Sequence, residues 1–143
     1  MIKRTIKPDD IRQAVDKYMG EIEGFDPDTW VDNDYNVALI REDTQDVALF
    51  ERQYKIPHVV HGHYFFHSRG KEAIKTAKAA LKEIFSGKYN IEVVSGFTPY
   101  DNKGALRMNK LLGFTSHGSI DTSVGPCDFV VLTRKEWEKA QDE

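Results

Sequence analysis

One strand–helix–strand unit in the middle of the chain constrains the fold more than any other feature. Ile56–His67 is rich in aromatic and β-branched residues, which favour a strand. After Ser68–Lys71, apolar residues recur at intervals of three and four, as in an amphipathic helix, and Gly87 ends that helix. Ile91–Val94 then predicts a short buried strand. Two strands joined by a helix run parallel, so this unit predicts a partly parallel centre of a sheet.

The flanking segments predict antiparallel strands and further helices. A weak first strand, Ile2–Ile6, precedes a helix that Pro8 opens and Gly24 ends. The elements predicted after it are a loop or short helix within Asp26–Tyr35, a hairpin of Val37–Arg41 and Asp46–Gln53, a loop at Ser95–Asp101, a helix at Lys103–Leu112, two strands at Phe114–Ile120 and Phe129–Leu132, and a terminal surface helix whose Trp137 docks onto the domain.

Composition limits the class of protein. The chain has 143 residues, which suits one domain spanning residues 1–143. Its formal net charge is −3 with both signs scattered, so neither nucleic acid nor an anionic membrane is predicted as a partner. Cys127 is the sole cysteine, which excludes an intrachain disulfide. The N-terminus has no apolar leader, and we therefore expect a cytoplasmic protein.

Two motifs carry a resemblance to a known family. The first is Phe65-Phe66-His67-Ser68-Arg69-Gly70-Lys71-Glu72-Ala73, a basic turn between the long strand and its helix. The second is Asn102-Lys103-Gly104-Ala105, which leads into a helix ending in Leu111-Leu112-Gly113-Phe114. Together with the order of elements, they resemble the GNAT superfamily of N-acyltransferases, including GNAT-like proteins encoded by bacteriophages. The resemblance covers nearly the whole chain in element order.

The resemblance implies an α/β (α+β) fold, with a central mixed, mostly antiparallel sheet of about six to seven strands and helices on both faces. It also implies acetyl-CoA as co-substrate. A turn from strand to helix leaves several N–H groups pointing outward at the positive end of the helix dipole, which can hold a pyrophosphate. The residues that would line the cofactor are Phe66, His67, Arg69, Gly70, Lys71 and Asn102.

The motifs depart from the family pattern at particular positions. Glu72 and Ile74 stand where the family has small residues, and Glu72 would repel phosphate if it faced the turn. Asn109 stands where the family often has a tyrosine that protonates the leaving thiolate, and asparagine cannot supply that proton. Tyr100 is a nearby substitute. Asn102 can cap its helix or bond the pantetheine region, and both interpretations stay open.

Histidines concentrate on the long predicted strand. His61, His63 and His67 share one face of it. Because histidine titrates near physiological pH, His61 or His63 can deprotonate an amine, and Glu51 on the preceding strand is another candidate base. We single out His63 and Glu51, while polar lining of the sheet explains the same pattern without catalysis. No third ligand accompanies the His-x-His pair, so no metal site is predicted.

An acidic segment offers a place for the amine. Trp30 and Tyr35 lie among four aspartates in the region where the family builds its acceptor site. An acidic loop suits a cationic amine, and a solvated loop accounts for the same charges. Two functions follow from the sequence.

The first function is transfer of an acyl group, most simply acetyl, from acetyl-CoA to an amine acceptor by direct attack in a ternary complex. The second is a GNAT-like binding or assembly protein without catalysis, for example a phage structural or assembly component in the host cytoplasm, and the departures favour it. The splayed central strands of such folds also offer an edge for a homodimer.

Overall fold

The computed structural model of the chain describes residues 2–19, 26–52 and 56–141. The strands are β1 (Ile2–Thr5), β2 (Val37–Arg41), β3 (Asp46–Arg52), β4 (Val59–Phe65), β5 (Val93–Pro99), β6 (Thr115–Thr122) and β7 (Gly125–Thr133). The helices are α1 (Pro8–Met19), α2 (Pro27–Asp32), α3 (Lys71–Ile84), α4 (Lys103–Leu112) and α5 (Arg134–Gln141). The predicted end of the first helix at Gly24 and the predicted end of the second hairpin strand at Gln53 lie outside the described residues.

All described strands join one sheet, in the order β1-β2-β3-β4-β5-β7-β6. Every neighbouring pair is antiparallel except β4 and β5, which are parallel and joined by α3. The predicted mixed, mostly antiparallel sheet with helices on both faces is therefore confirmed. The strand–helix–strand unit lies at its centre, as the sequence indicates.

Two apolar cores lie on opposite faces of the sheet. On the α3 face, alternate strand residues such as Leu39 and Val60 pack with Leu81 and Ile84 of α3. On the α1 face, Ile40 and Leu49 are among the residues that pack with Ile11, Ala14 and Val15 of α1 and Trp30 of α2. Because both faces are covered here, β2 and the first part of β3 are buried at every position instead of alternating.

The structure corrects the predicted limits of the central strands. β5 does not stop at Val94 but runs to Pro99, because residues 95–99 pair with β7. The sequence Ser-Gly-Phe-Thr-Pro has weak strand propensity, and pairing with a long neighbour outweighs that preference. β4 ends at Phe65, so His67 belongs to the following turn and not to the strand.

The remaining predicted elements are present, but two strands have other limits: β7 begins at Gly125 instead of Phe129, and β4 begins at Val59 instead of Ile56. The segment Asp26–Tyr35 contains the short helix α2, with the Asp26 side chain capping its first turn. Trp137 of α5 is buried and its ring lies against that of Phe85, so the predicted docking of the terminal helix is confirmed.

Candidate functional site

The centre of the sheet opens between its two parallel strands. β4 and β5 pair at three positions, the last of them His61 with Ser95, yet β4 continues to Phe65 and β5 to Pro99. Along this length β4 stays paired with β3, and β5 with β7. A wedge is therefore left inside the sheet, between residues 62–65 and residues 96–99, and we call it the strand gap.

Backbone hydrogen-bonding groups line the β4 side of the strand gap. The carbonyl of His58 accepts from the N–H of Val93 at 3.1 Å, and backbone direction alternates along a strand, so residues 60, 62 and 64 also face β5. In agreement, the carbonyl oxygen of Gly62 lies 3.7 Å from the position that a Cβ on Gly96 would take. Beyond the last pair, the Gly62 carbonyl and the Tyr64 N–H therefore face the gap without a ladder partner on β5 as described.

The turn between β4 and α3 follows directly from this strand. Gly70 precedes α3 with φ 59° and ψ −132°, a conformation that favours glycine, and nothing lies within 4 Å of where its Cβ would stand. The N–H groups of the first helical turn have no acceptor within the helix, and the positive end of the dipole lies behind them. With Lys71 exposed at the first helical position, this end of α3 attracts anions.

A buried carboxylate supports the same turn from β3. Asp46 is fully buried and accepts from the N–H of His67 at 2.7 Å, the N–H of Ser68 at 2.9 Å and the hydroxyl of Thr76 at 2.7 Å. Burial raises the pKa of Asp46, but hydrogen bonds from Ser68, Thr76 and Thr44 outweigh it and leave the pKa below its ordinary value. The ionised carboxylate thus binds two N–H groups of the turn, those of His67 and Ser68, which leaves only the later N–H groups for a ligand.

Glu72, which departs from the family pattern, does not stand alone at the turn. Its carboxylate accepts from the Arg41 guanidinium at 2.7 Å. Arg41 also pairs with Asp43 at 3.0 Å, and these two carboxylates raise the pKa of Arg41 against the opposing effect of burial. The negative charge of Glu72 is therefore compensated in part, because Arg41 of β2 is shared between Glu72 and Asp43.

Five of the six residues predicted to line the cofactor lie around this turn, and the sixth, Asn102, lies at the start of α4. The guanidinium of Arg69 folds back onto turn carbonyls, including that of Phe66 at 2.8 Å. The Phe66 side chain is part of the core on the α3 face. The His67 ring lies 2.8 Å from the side-chain oxygen of Gln13 on α1. As cofactor contacts, these residues, Gly70 and Lys71 stay predictions.

The N-terminus of α4 lies next to the end of β5 in the chain. Asn102 accepts from the N–H of Ala105 at 3.1 Å, so it caps the helix, and its bonding to a cofactor stays a prediction. Asn109 donates to the hydroxyl of Thr98 at 2.9 Å, which ties α4 to β5. Tyr100 is exposed just past the end of β5.

A row of polar side chains crosses the α1 face beside the strand gap. The register aligns Glu51 of β3 with His61 of β4 and Ser95 of β5. His61 Nδ1 lies 2.5 Å from Ser95 Oγ, and the ring centroids of His61 and His63 are 6.2 Å apart. Trp30 donates its indole N–H to Glu51 at 3.1 Å. The predicted catalytic pair His63 and Glu51 thus belongs to a larger group, which we call the polar cluster: Trp30, Glu51, His61, His63 and Ser95.

The polar cluster holds its imidazoles neutral. Burial lowers the pKa of His61, the charge of His63 lowers it further, and Glu51 opposes both. Desolvation by surrounding protein atoms lowers the pKa of His63, with Glu51 again opposing, although His63 is exposed on the surface of β4. Because both pKa values lie below the ordinary histidine value, both rings are neutral at pH 7 and can accept a proton. The cluster therefore offers a base beside a carboxylate.

The other predicted polar features do not join this cluster. His58 Nδ1 lies 2.8 Å from the carbonyl of Asn90, and Tyr35 is exposed beneath the Arg52 guanidinium. Within residues 2–19, 26–52 and 56–141, no group of three or more His, Cys, Asp or Glu side chains is placed to hold a metal ion. None of the helices described is long and apolar enough to cross a membrane.

Neither Asp46 nor Ser95 stands out in the sequence. Asp46 precedes the apolar run of β3, where a charged residue is expected to mark a strand end. Its full burial at the start of β3, ahead of the apolar run Val47–Phe50, is what sets it apart, and the sequence does not show that burial. Ser95 lies in a segment that resembles a loop, and only the register with His61 reveals its contact.

Comparison with known proteins places the fold. No known family profile matches the chain, and no curated protein sequence matches it. Among solved structures, a spermidine N-acetyltransferase mutant (SpeG F149A) from Vibrio cholerae superposes with a TM-score of 0.78 at 11% identity, covering 99% of both chains.

Two further structures show the same likeness. The putative acetyltransferase YncA from Salmonella typhimurium with acetyl-CoA gives a TM-score of 0.70 at 16% identity, over 94% of this chain and 93% of that one. An aminoglycoside 6'-acetyltransferase type Ii gives 0.70 at 17% identity, over 94% and 97%. At such identities the likeness establishes the fold: the chain has the GNAT fold that these acetyltransferases share.

Proposed function

We propose that the protein is an N-acetyltransferase that transfers an acetyl group from acetyl-CoA to an amine. The observation that carries this proposal is the strand gap, which presents unpaired backbone groups in the centre of the sheet, directly beside the polar cluster. A similar fold in a structure containing acetyl-CoA supports it. An extended thioester arm is the kind of ligand that such a gap suits, because it can take the place of a missing strand neighbour.

The strand gap would hold the acyl end of acetyl-CoA. The carbonyl of Gly62 and the N–H of Tyr64 would bind the amides of the pantetheine arm. Acetyl-CoA supplies an activated acyl group: the amine nitrogen bonds to the carbonyl carbon, the carbon–sulfur bond breaks, and the thiolate takes a proton. A backbone N–H in the gap would stabilise the oxygen that gains charge in this step.

The turn after β4 would receive the pyrophosphate. Asp46 and Arg69 brace this turn by binding its own N–H and carbonyl groups. The ligand would use the later N–H groups, from Gly70 onward, together with Lys71 and the helix dipole. Because the Glu72 carboxylate is held by Arg41, its repulsion of the phosphates would be reduced, although Arg41 also pairs with Asp43.

The polar cluster would receive the amine. Glu51 carries the negative charge that attracts an ammonium group, and Trp30 fixes one of its oxygens. A neutral imidazole then removes the proton so that the nitrogen can attack. His63 and Glu51 are the residues that the sequence predicts for this work, and His61 lies beside both: it pairs with Glu51 across the sheet, and its ring centroid is 6.2 Å from that of His63.

Calorimetric titration with acetyl-CoA is the first test. We expect binding in the micromolar range for the wild type and a loss of about tenfold or more for Lys71→Glu, because the substitution replaces a cation at the phosphate turn with an anion. Lys78→Glu is the matched control: it is an equally exposed lysine on the same face of α3, about two turns farther on. It should bind like the wild type.

A second stage measures acetylation of a panel of primary amines that includes spermidine and an aminoglycoside. Binding that is weakened by Lys71→Glu alone, followed by release of free thiol with an amine, supports the proposal. Absence of binding at millimolar acetyl-CoA, or equal losses in both lysine variants, contradicts it.

Binding without catalysis is the second candidate function, and one observation favours it. Asn109 is engaged with Thr98 and offers no proton to a leaving thiolate. Tight acetyl-CoA binding without thiol release for any amine, and without hydrolysis above background, would favour a ligand-binding or assembly protein over an enzyme.

A further inference from the structure

The contact between His61 and Ser95 lies at the closed end of the strand gap, where β4 and β5 begin to separate. Ser95 is 5% exposed and occupies the last position at which β5 pairs with β4. Its hydroxyl is 2.5 Å from His61 Nδ1 and 3.4 Å from the carbonyl oxygen of Val60. The ring of Phe97 meets the His61 ring edge to face at 5.1 Å and limits its rotation.

This contact selects one tautomer of His61. A carbonyl oxygen only accepts, and a hydroxyl has one proton to donate. If Ser95 donates to Val60, then His61 Nδ1 donates to Ser95, and two hydrogen bonds form in series. If Ser95 instead donates to His61 Nδ1, it has no proton left for the Val60 carbonyl, and only one hydrogen bond forms. For a buried hydroxyl the arrangement with two bonds is the more stable, so Nδ1 carries the proton and Nε2 keeps its lone pair.

We propose that His61, through Nε2, is the base that takes the proton from the amine, and that Ser95 is the positioning residue that holds the required tautomer. The inference rests on the proposed function and deepens it, since it assigns the base to His61 rather than to the predicted His63. Nε2 takes the proton of the ammonium group, so the ring becomes an imidazolium and the neutral nitrogen can attack the acyl carbon. The second proton, which the nitrogen loses as the amide forms, balances the one that the thiolate takes.

Neighbouring groups suit this assignment. Glu51 lies directly across from His61 in the sheet, so its negative charge stabilises the imidazolium. His63 is the other titratable group beside the ring, and its neutral state avoids repulsion. On β5 the ring meets Ser95 and Phe97, which carry no charge.

The first test reads the tautomer directly. Long-range proton–nitrogen correlation spectra of the full chain distinguish histidines protonated at Nδ1 from those protonated at Nε2. His58 is an internal reference for Nδ1–H, because its Nδ1 faces the carbonyl of Asn90. His67 is the reference for Nε2–H: Gln13 donates its amide N–H groups to two carbonyls, so its oxygen must accept from His67. We expect His61 to match His58 and, in Ser95→Ala, to shift to the pattern of His67.

The second test compares variants in the acetylation assay. We expect His61→Gln to lower kcat by about 100-fold or more with acetyl-CoA affinity unchanged by calorimetry, and Ser95→Ala to lower kcat by about tenfold or more. Ser95→Thr keeps the hydroxyl and should restore both the tautomer and most of kcat. His63→Gln should lower kcat by less than about tenfold, because it is a neighbour and not the base.

The outcomes separate this inference from the proposed function. An Nδ1–H tautomer that depends on Ser95, with kcat lost in His61→Gln and not in His63→Gln, supports it. An Nε2–H tautomer in the wild type overturns it, whether or not the protein binds acetyl-CoA. Equal kcat in His61→Gln and wild type, or a loss in His63→Gln that matches the loss in His61→Gln, overturns it while leaving acetyl transfer intact.

Discussion

Asp46 carries a large share of the local order around the β4–α3 turn. Asp46→Asn leaves a side chain with one accepting oxygen for groups that now donate to two. We expect the free energy of unfolding to fall by about 1.5–3 kcal/mol, measured by urea titration. Asp121→Asn is the control, since Asp121 is exposed on β6, and its change should stay within about 0.5 kcal/mol. Similar changes in both variants would contradict the role given to Asp46.

The same carboxylate predicts how stability depends on pH. The pKa of Asp46 is lower in the folded chain than its ordinary value of 3.8, so the unfolded chain binds its proton more readily. Its contribution is therefore complete above about pH 4–5 and is lost as pH falls through the lower folded pKa. The melting temperature of Asp46→Asn should approach that of the wild type as pH falls from about 5 to 2. A constant difference over that range would show that the folded pKa is not lowered.

Tyr64 presents the opposite case, a polar atom without compensation. Its hydroxyl is buried and has no hydrogen-bond partner among the residues that the structure describes, while its ring stacks on Phe66 at 5.0 Å. Because a buried, unsatisfied hydroxyl is unfavourable, Tyr64→Phe should raise the free energy of unfolding by about 1 kcal/mol. In Tyr89→Phe, by contrast, a bond of 2.6 Å to Glu83 is lost and stability should fall. Lower stability of Tyr64→Phe would mean that the hydroxyl is bonded after all.

At the level of elements, the sequence pattern predicts the limits of a helix correctly where side-chain periodicity and capping residues agree. α4 begins and ends where Asn102 and Gly113 predict, because a side-chain cap and a residue at φ 94° fix both ends locally. β5 is different: nothing local requires residues 95–99 to be extended, and β7 supplies the reason. The polar cluster could be predicted in part, since the histidine spacing places His61 and His63 on one face. Its contact with Ser95 depends on register between distant segments, which sequence patterns do not specify.

The two roles considered for Asn102 can be separated by substitution. Asn102→Asp keeps a side-chain oxygen for the N–H of Ala105, so the helix cap and the melting temperature should be retained. The substitution removes the amide donor and adds a negative charge, so acetyl-CoA affinity should fall by about tenfold if the side chain contacts the cofactor. Asn102→Ala should lower stability by about 1 kcal/mol. Unchanged affinity in Asn102→Asp would leave Asn102 with the capping role alone.

For the whole molecule, the sheet behaves as two halves that meet along a short seam. Three residue pairs between β4 and β5, the last of them His61 with Ser95, join the half formed by β1–β4 to the half formed by β5–β7. The core on the α3 face is continuous across this seam, since it contains Val60, Val94 and Leu132. Beyond the seam the two halves diverge, because β4 stays paired with β3 and β5 stays paired with β7. The fold thus keeps an opening in the middle of the sheet at the cost of unpaired backbone groups, which a bound ligand would satisfy.

Hydrogen exchange offers a measure of this opening in the full chain. In the free protein we expect the Tyr64 amide to exchange much faster than that of Val60, because Val60 lies within the paired seam whereas Tyr64 faces the strand gap. With saturating acetyl-CoA, the Tyr64 amide should slow by about tenfold or more, and amides of β1 and β6, at the edges of the sheet, should change little. Protection of Tyr64 already in the free protein would mean that the gap is closed by the chain itself. Slowing spread evenly over the sheet would indicate general stabilisation, so only a local effect at the gap identifies it as the place where the acyl arm binds.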